Sequence, residues 1–338
     1  YENNVNNVEA TLDSDPDQRA DIISINSLTV GENGSIYICG YNTEKYRGST
    51  HRGPITLTEK PDSFVSKLSN TGELIWTREI ESNGFNYSDE ANDIALSSDG
   101  SIYITGYTTG DLDGKVNIGD KDAYVSKLDQ NGNIEWTQLI QSAGEDEPES
   151  IIVDSNGSIY ISGTTDGELE GEDAYGNKDG FISKLDSDGN KIWTRIIGNN
   201  DENKLYDLAF DNEERNIYLA GYSLNVPVGN TARTARLIAK VNSSGDIIWS
   251  RVNHSGLYNG LGTNLFGEPS VDGNSVSTDS ASIAVDNNNN LYIGGAKTNK
   301  YGYQDYILTH FDKEGNPISH FYDPGYYDNG HEFIDAVR

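Results

Sequence analysis

Between Asp93 and Ile140 apolar and polar residues alternate in four short runs. DIALSSDGSIYITGY supplies the first two and DAYVSKLDQNGNIEWTQLI the last two. Tight gaps carrying Gly100 and Gly132 separate the first run from the second and the third from the fourth. The polar loop TTGDLDGKVNIGDK separates the middle pair. Period-two alternation broken by glycine-bearing gaps predicts a four-stranded antiparallel meander.

The same pattern recurs along the chain. The tyrosine of the second run falls at Tyr37, Tyr103, Tyr160, Tyr218 and Tyr292. The tryptophan of the fourth falls at Trp76, Trp136, Trp193 and Trp249, and the fifth copy has Ser319 there. Repeats are thereby expected over 27–80, 93–140, 150–197, 207–252 and 282–321. Repetition of one supersecondary unit implies a single repeat domain whose core is spread between neighbouring sheets. Residues 1–26 form a polar N-terminal segment in which Leu12 stands where a closing strand is expected. Residues 322–338 open a further copy, with Ala336 in its first strand.

Strand parity fixes which connections share an edge. The glycine-bearing turns between first and second strands and between third and fourth strands all lie on one side. The loops 41–61, 107–121, 164–178, 222–234 and 296–304 lie on the other, with the connections 81–91, 141–149, 198–205 and 253–280. All length variation is on this second side, which makes it the candidate functional face. Radial packing explains the small residue at Cys39, Thr105, Ser162, Ala220 and Gly294, and Cys39 reads as packing rather than as a reactive thiol. The tryptophans are expected to be buried between sheets, with sugar stacking as the sharper alternative.

GSIYITG, DAYVSKL and GNIEW, with their counterparts in the other copies, resemble the SBBP-type β-propeller repeat of bacterial secreted and cell-surface proteins. The resemblance covers about 27–321 and includes Asp62, Asp122 and Asp179 and Lys67, Lys127, Lys184 and Lys240. It implies an all-β propeller of four-stranded antiparallel blades. Five blades are complete, parts of at least one more are present, and six to eight are expected in the intact ring. It further implies an extracellular or cell-surface place, as part of a longer polypeptide with no assigned reaction. The partners it implies are neighbouring domains or copies of a larger assembly.

Composition narrows the chemistry. Acidic residues number 54 against 24 basic ones, a formal net charge of −30, which repels nucleic acid and anionic membranes. No apolar run reaches a membrane-spanning length. The absence of methionine implies that Tyr1 is not an initiator and that the chain is a processed product or an excerpt. No catalytic motif or zinc-spaced Cys/His cluster is present, and an enzyme is not expected. His320 and His331, in an acidic tyrosine-rich tail, are a candidate metal or acid–base pair, with surface residues as the plainer alternative.

Calcium is the best metal candidate. Asp111, Asp113 and Asp120 in GDLDGKVNIGD have counterparts in Glu168, Glu170 and Asp173 of DGELEGED, hard oxygen donors set around glycine. Solvated acidic loops are the plainer alternative. Asp62, Asp122, Asp179 and Asp305, at the entry of the third strand, are read first as acceptors for loop N–H groups. A glycan-binding alternative places its face on the insertions around Tyr258, Phe266 and Tyr326.

Overall fold

The computed structural model describes residues 22–43, 61–83, 87–200, 202–228, 231–253, 258–259, 263–264, 281–298 and 304–323. Five four-stranded antiparallel meanders are present among them. The first sheet holds β1 (Ile22–Val30), β2 (Ile36–Thr43), β3 (Pro61–Leu68) and β4 (Leu74–Ile80). The second holds β5 (Asp89–Leu96), β6 (Ile102–Thr108), β7 (Asp122–Leu128) and β8 (Ile134–Ile140). β9 (Asp146–Val153), β10 (Ile159–Thr165), β11 (Asp179–Leu185) and β12 (Lys191–Ile197) make the third. β13 (Asn203–Phe210), β14 (Asn216–Val228), β15 (Thr231–Asn242) and β16 (Ile247–Asn253) make the fourth. A two-stranded ribbon, β17 (Tyr258–Asn259) and β18 (Thr263–Asn264), precedes the fifth: β19 (Ala281–Val285), β20 (Leu291–Thr298), β21 (Gln304–Phe311) and β22 (Pro317–Asp323). These are the propeller blades the repeats predict. The expected closing strand at Leu12 and the opening strand at Ala336 lie outside the described residues. No helix among the described residues is long and apolar enough to cross a membrane.

Consecutive sheets pack face to face, and the first strands β1, β5, β9, β13 and β19 stand side by side along one inner edge. Alternation sends opposite faces of a strand into different layers. Ile102 and Ile104 meet Tyr37, Cys39 and Val65 of the first sheet, whereas Tyr103 points the other way, toward Ile159, Ile161 and Phe181 of the third. Similar layers join the third sheet to the fourth and the fourth to the fifth. Cys39, Thr105, Ser162 and Ala220 are fully buried at the slim position, and burial together with the Asp93 charge pushes the Cys39 thiol up. The face of β1 that carries Ile23, Ile25, Leu28 and Val30 is exposed, although the matching Ala91 and Ile94 of β5 are buried.

The first strands start earlier than the sequence pattern suggests. A bulge interrupts the pairing between Ile25 and Ser27, between Ala91 and Asp93, and between Leu205 and Asp207. In the third sheet it falls opposite Ser162 and Gly163. The extra residue reverses the in-and-out parity, so alternation stops there while the strand continues. The backbones come so close that a Cβ on Gly106 would lie 1.9 Å from Glu90 O.

One cross-strand row explains the recurrent Tyr, Lys and Trp. Tyr37 pairs with Lys67, which pairs with Trp76, and the same register joins Tyr103, Lys127 and Trp136. The lysine ammonium groups stand over the tyrosine rings, at 5.1 Å for Lys67 and 4.9 Å for Lys184. In the fifth sheet His310 takes the lysine position and stacks on Tyr292 at 4.5 Å.

Candidate functional site

The loops of the second and third sheets on the variable side have one architecture. Leu112 and Lys115 exchange backbone hydrogen bonds of 3.0 and 2.9 Å around Asp113 and Gly114, whose φ values are 48° and 74°. Glu170 and Gly171 repeat this at 56° and 89°, between Leu169 and Glu172. Positive φ at both central residues is the type I′ geometry. Leu112 and Leu169, between the acidic residues, are buried and anchor each turn.

The carboxylates at the entry of the third strand hold the far ends of these loops. Asp122 Oδ2 accepts from Ile118 N at 2.8 Å, and Asp179 Oδ2 from Tyr175 N and Gly176 N at 2.7 and 2.9 Å. Burial raises the Asp122 carboxyl, and the Ile118 and Gly119 amides oppose that shift. Asp62 occupies the corresponding row opposite Asn42, and Asp305 the row opposite Lys297.

The same anchoring logic recurs between sheets, at residues the sequence reading did not select. Asp89 accepts from Ser82 N and Oγ at 2.7 and 2.8 Å. Asp146 accepts from Ser142 and from Thr165 Oγ1. Burial lifts the Asp146 carboxyl to about 6 against these hydrogen bonds. The signal available in the sequence was the aligned Asp at the start of two first strands.

The acidic calcium candidates are spread along these loops. Asp111, Asp113, Asp120, Glu168 and Asp173 are exposed, Asp111 Oδ1 accepts from Asn117 N at 3.0 Å, and Glu170 pairs with Lys191. No group of three or more His, Cys, Asp or Glu side chains among the described residues is arranged to hold a metal ion. Phe266, Tyr326 and His331 lie outside the described residues, Tyr258 is placed only as the start of β17, and His320 only as a position in β22.

Exposed apolar groups crown the variable side. Val116 is 63% exposed, Ile118 57% and Tyr175 59%, and Tyr87 stands at 41% on the connection entering the second sheet. The opposite, hairpin edge carries a half-open cleft of about 420 Å³ lined by Tyr37, Lys67, Leu96, Asp99 and Gln130. Lys67 Nζ donates to Gln130 O at 3.4 Å across it.

The tryptophans belong to the seams between sheets. Each lies on the positive-φ turn glycine of the next sheet: Trp76 on Gly132, Trp136 on Gly189, Trp193 on Gly245 and Trp249 on Gly315. Trp136 Nε1 donates to Ser187 O and Trp193 Nε1 to Ser243 O, both at 3.3 Å.

The family model described as a β-propeller repeat, SBBP, matches residues 75–113 and 135–170. These two stretches are β-propeller repeats of the SBBP type. Both SBBP matches start beside the seam tryptophan and end in the type I′ loop of the next sheet, so the sequence unit spans the seam rather than one blade. Regulatory protein FlaEY of Caulobacter vibrioides is 22% identical over 57% of the chain, which covers 22% of that protein. An uncharacterized WD repeat-containing protein of Acanthamoeba polyphaga mimivirus is 23% identical over 43% of the chain, covering 12% of its length. The chain therefore spans about a fifth or less of these relatives. Among solved structures, a Hadza microbial sialidase aligns at TM-score 0.49 and 11% identity, covering 87% of this chain and 57% of that one. A PL25 ulvan lyase aligns at 0.46 and 10%, covering 88% and 68%.

Proposed function

We propose that this SBBP propeller is a non-enzymatic, extracellular module of a longer bacterial surface protein, and that it binds other protein through the variable loops of its second and third sheets. The observation that carries this reading is the exposure of Val116, Ile118 and Tyr175 on loops held by buried leucines and by Asp122 and Asp179. Apolar side chains fixed in place bind at low entropic cost. Rigid loops that display such groups among carboxylates suit a partner with an apolar spot ringed by basic residues.

The test is a photo-crosslinking amino acid placed at Ile118, at Tyr175 and, on the hairpin edge, at Gln130, in the protein as its source organism makes it. A membrane-impermeant label on intact cells reports its place. The expected result is surface labelling with cross-links to protein from Ile118 and Tyr175 but not from Gln130. Equal cross-linking from all three positions, or protection from the label, contradicts the reading.

A further inference from the structure

The inner edge carries a row of alternating hydroxyls and carboxylates, one from each sheet: Ser27, Asp93, Ser150, Asp207 and Ser282. Ser27 Oγ donates to Asp93 Oδ1 at 2.6 Å, and Ser282 Oγ to Asp207 Oδ2 at 3.1 Å. Backbone amides complete the row. Ile94 N and Ile151 N reach Asp93, and Leu208 N and Ile283 N reach Asp207, all at 2.8 to 2.9 Å. Each carboxylate thereby ties its own sheet to its neighbours.

Ser150 stands between the two acids. Its Oγ lies 3.0 Å from Asp93 Oδ2 and 3.1 Å from Asp207 Oδ1. A serine hydroxyl has one hydrogen to donate and lone pairs that accept. With both carboxyls ionised, one of these two oxygen–oxygen contacts has no hydrogen in it. A single extra proton completes both.

We propose that Asp93, Ser150 and Asp207 form a proton-binding site that holds one hydrogen ion between two carboxyl groups and so clasps the second, third and fourth sheets. Whichever carboxyl carries the proton donates its O–H to Ser150 Oγ, and the Ser150 O–H donates to the other carboxylate. The two acids share this proton, because their donor sets match: Ser27 Oγ, Ile94 N and Ile151 N on Asp93, and Ser282 Oγ, Leu208 N and Ile283 N on Asp207. Release of the proton to solvent leaves two negative charges facing one hydroxyl, and the clasp loosens.

The surroundings agree. Burial raises both carboxyls, and the Asp93 charge adds to the rise at Asp207. Other titratable or charged groups lie on the elements packed around the row. Cys39 of β2 feels Asp93, Glu149 of β9 precedes Ser150, and Arg236 of β15 donates to Ile293 O at 2.8 Å beside the Ser282 strand.

Carbon-13 NMR of the full chain, labelled at aspartate side-chain carboxyl carbons, tests this without interference from Glu149. Asp93→Asn and Asp207→Asn assign the two signals. Both carbons are expected to report the loss of the shared proton in one joint step as the pH rises. In Asp207→Asn an amide N–H replaces the proton, so the Asp93 signal becomes that of a carboxylate and stops titrating over the range of the joint step. Ser150→Ala keeps both acids and removes the bridge, and it is expected to split the joint step; it serves if the asparagine variants do not fold. Two carboxyl signals that titrate independently of each other in the unaltered protein would overturn the proposal. So would an acid signal indifferent to all three substitutions.

Discussion

Trp193 of the third sheet lies flat against Gly245 of the fourth, so close that a Cβ on Gly245 would come within 2.9 Å of the indole Cδ2. Trp193 Nε1 and Arg195 Nε both donate to that turn, to Ser243 O and Gly245 O at 3.3 and 2.8 Å. The fourth strand of one blade thus grips the last hairpin of the next.

Gly245→Ala meets two obstacles, the indole and a φ of 89°. The cost expected is about 1–3 kcal/mol, and for Trp193→Ala, which empties a buried aromatic site, about 3–5 kcal/mol. Urea unfolding followed by circular dichroism measures both. A loss in Trp193→Ala no larger than that of an exposed surface substitution contradicts this seam.

Gly106→Ala is expected to be worse than Gly245→Ala. The added Cβ would sit 1.9 Å from Glu90 O in the bulge, where neither strand backbone can yield without losing its pairing. A loss of about 4 kcal/mol or more, with reduced soluble yield, is the expected outcome.

Glu149 gives a pH signature. Burial, with Glu147 adding, raises its carboxyl to about 7, above the ordinary glutamate value of about 4.3. The folded form therefore binds more protons between these values, and stability falls as pH rises through that window and levels off above it. Glu149→Gln removes this contribution. The variant should match the unaltered protein near pH 4 and exceed it by roughly 3–4 kcal/mol at pH 8. Thermal unfolding of both across that range measures the difference, and parallel curves contradict it.

Calcium and a chelator are expected to leave the melting temperature unchanged. Asp111 is tied to Asn117 N, Glu170 to Lys191, and Asp113 to a positive-φ turn position. A rise in melting temperature that saturates with added calcium, and is lost in Asp111→Asn, contradicts this.

The strand order was legible because the Tyr, Lys and Trp of each copy share one cross-strand row, so their spacing carries the register. Gly34, Gly100 and Gly157 sit at positive φ in the hairpins where the pattern required them, and Glu214 and Asn289 take that role in the copies without glycine. The early part of the first strand was not legible in the first four sheets, since Asn26, Asn92, Glu149 and Tyr206 fall at bulges that reverse the alternation. The acids on loops drew attention by their number, yet Asp113 and Glu170 are turn positions. The more tightly bound carboxylates, Asp93 and Asp207, marked only where two repeats begin. Their alternation with Ser27, Ser150 and Ser282 was present in the sequence, but only adjacency of the inner strands gives it meaning.

The claim that recognition lies on the loop side is tested most directly by affinity for the cross-linked partner. Three proteins suffice: the unaltered propeller, Ile118→Asp with Tyr175→Asp, and Gln130→Asp on the hairpin edge. Because both loop side chains are exposed, the double variant should keep its melting temperature while its Kd rises at least tenfold, about 1.4 kcal/mol. Gln130→Asp should bind as the unaltered protein does. Equal binding by all three, or a loss confined to Gln130→Asp, would contradict the account.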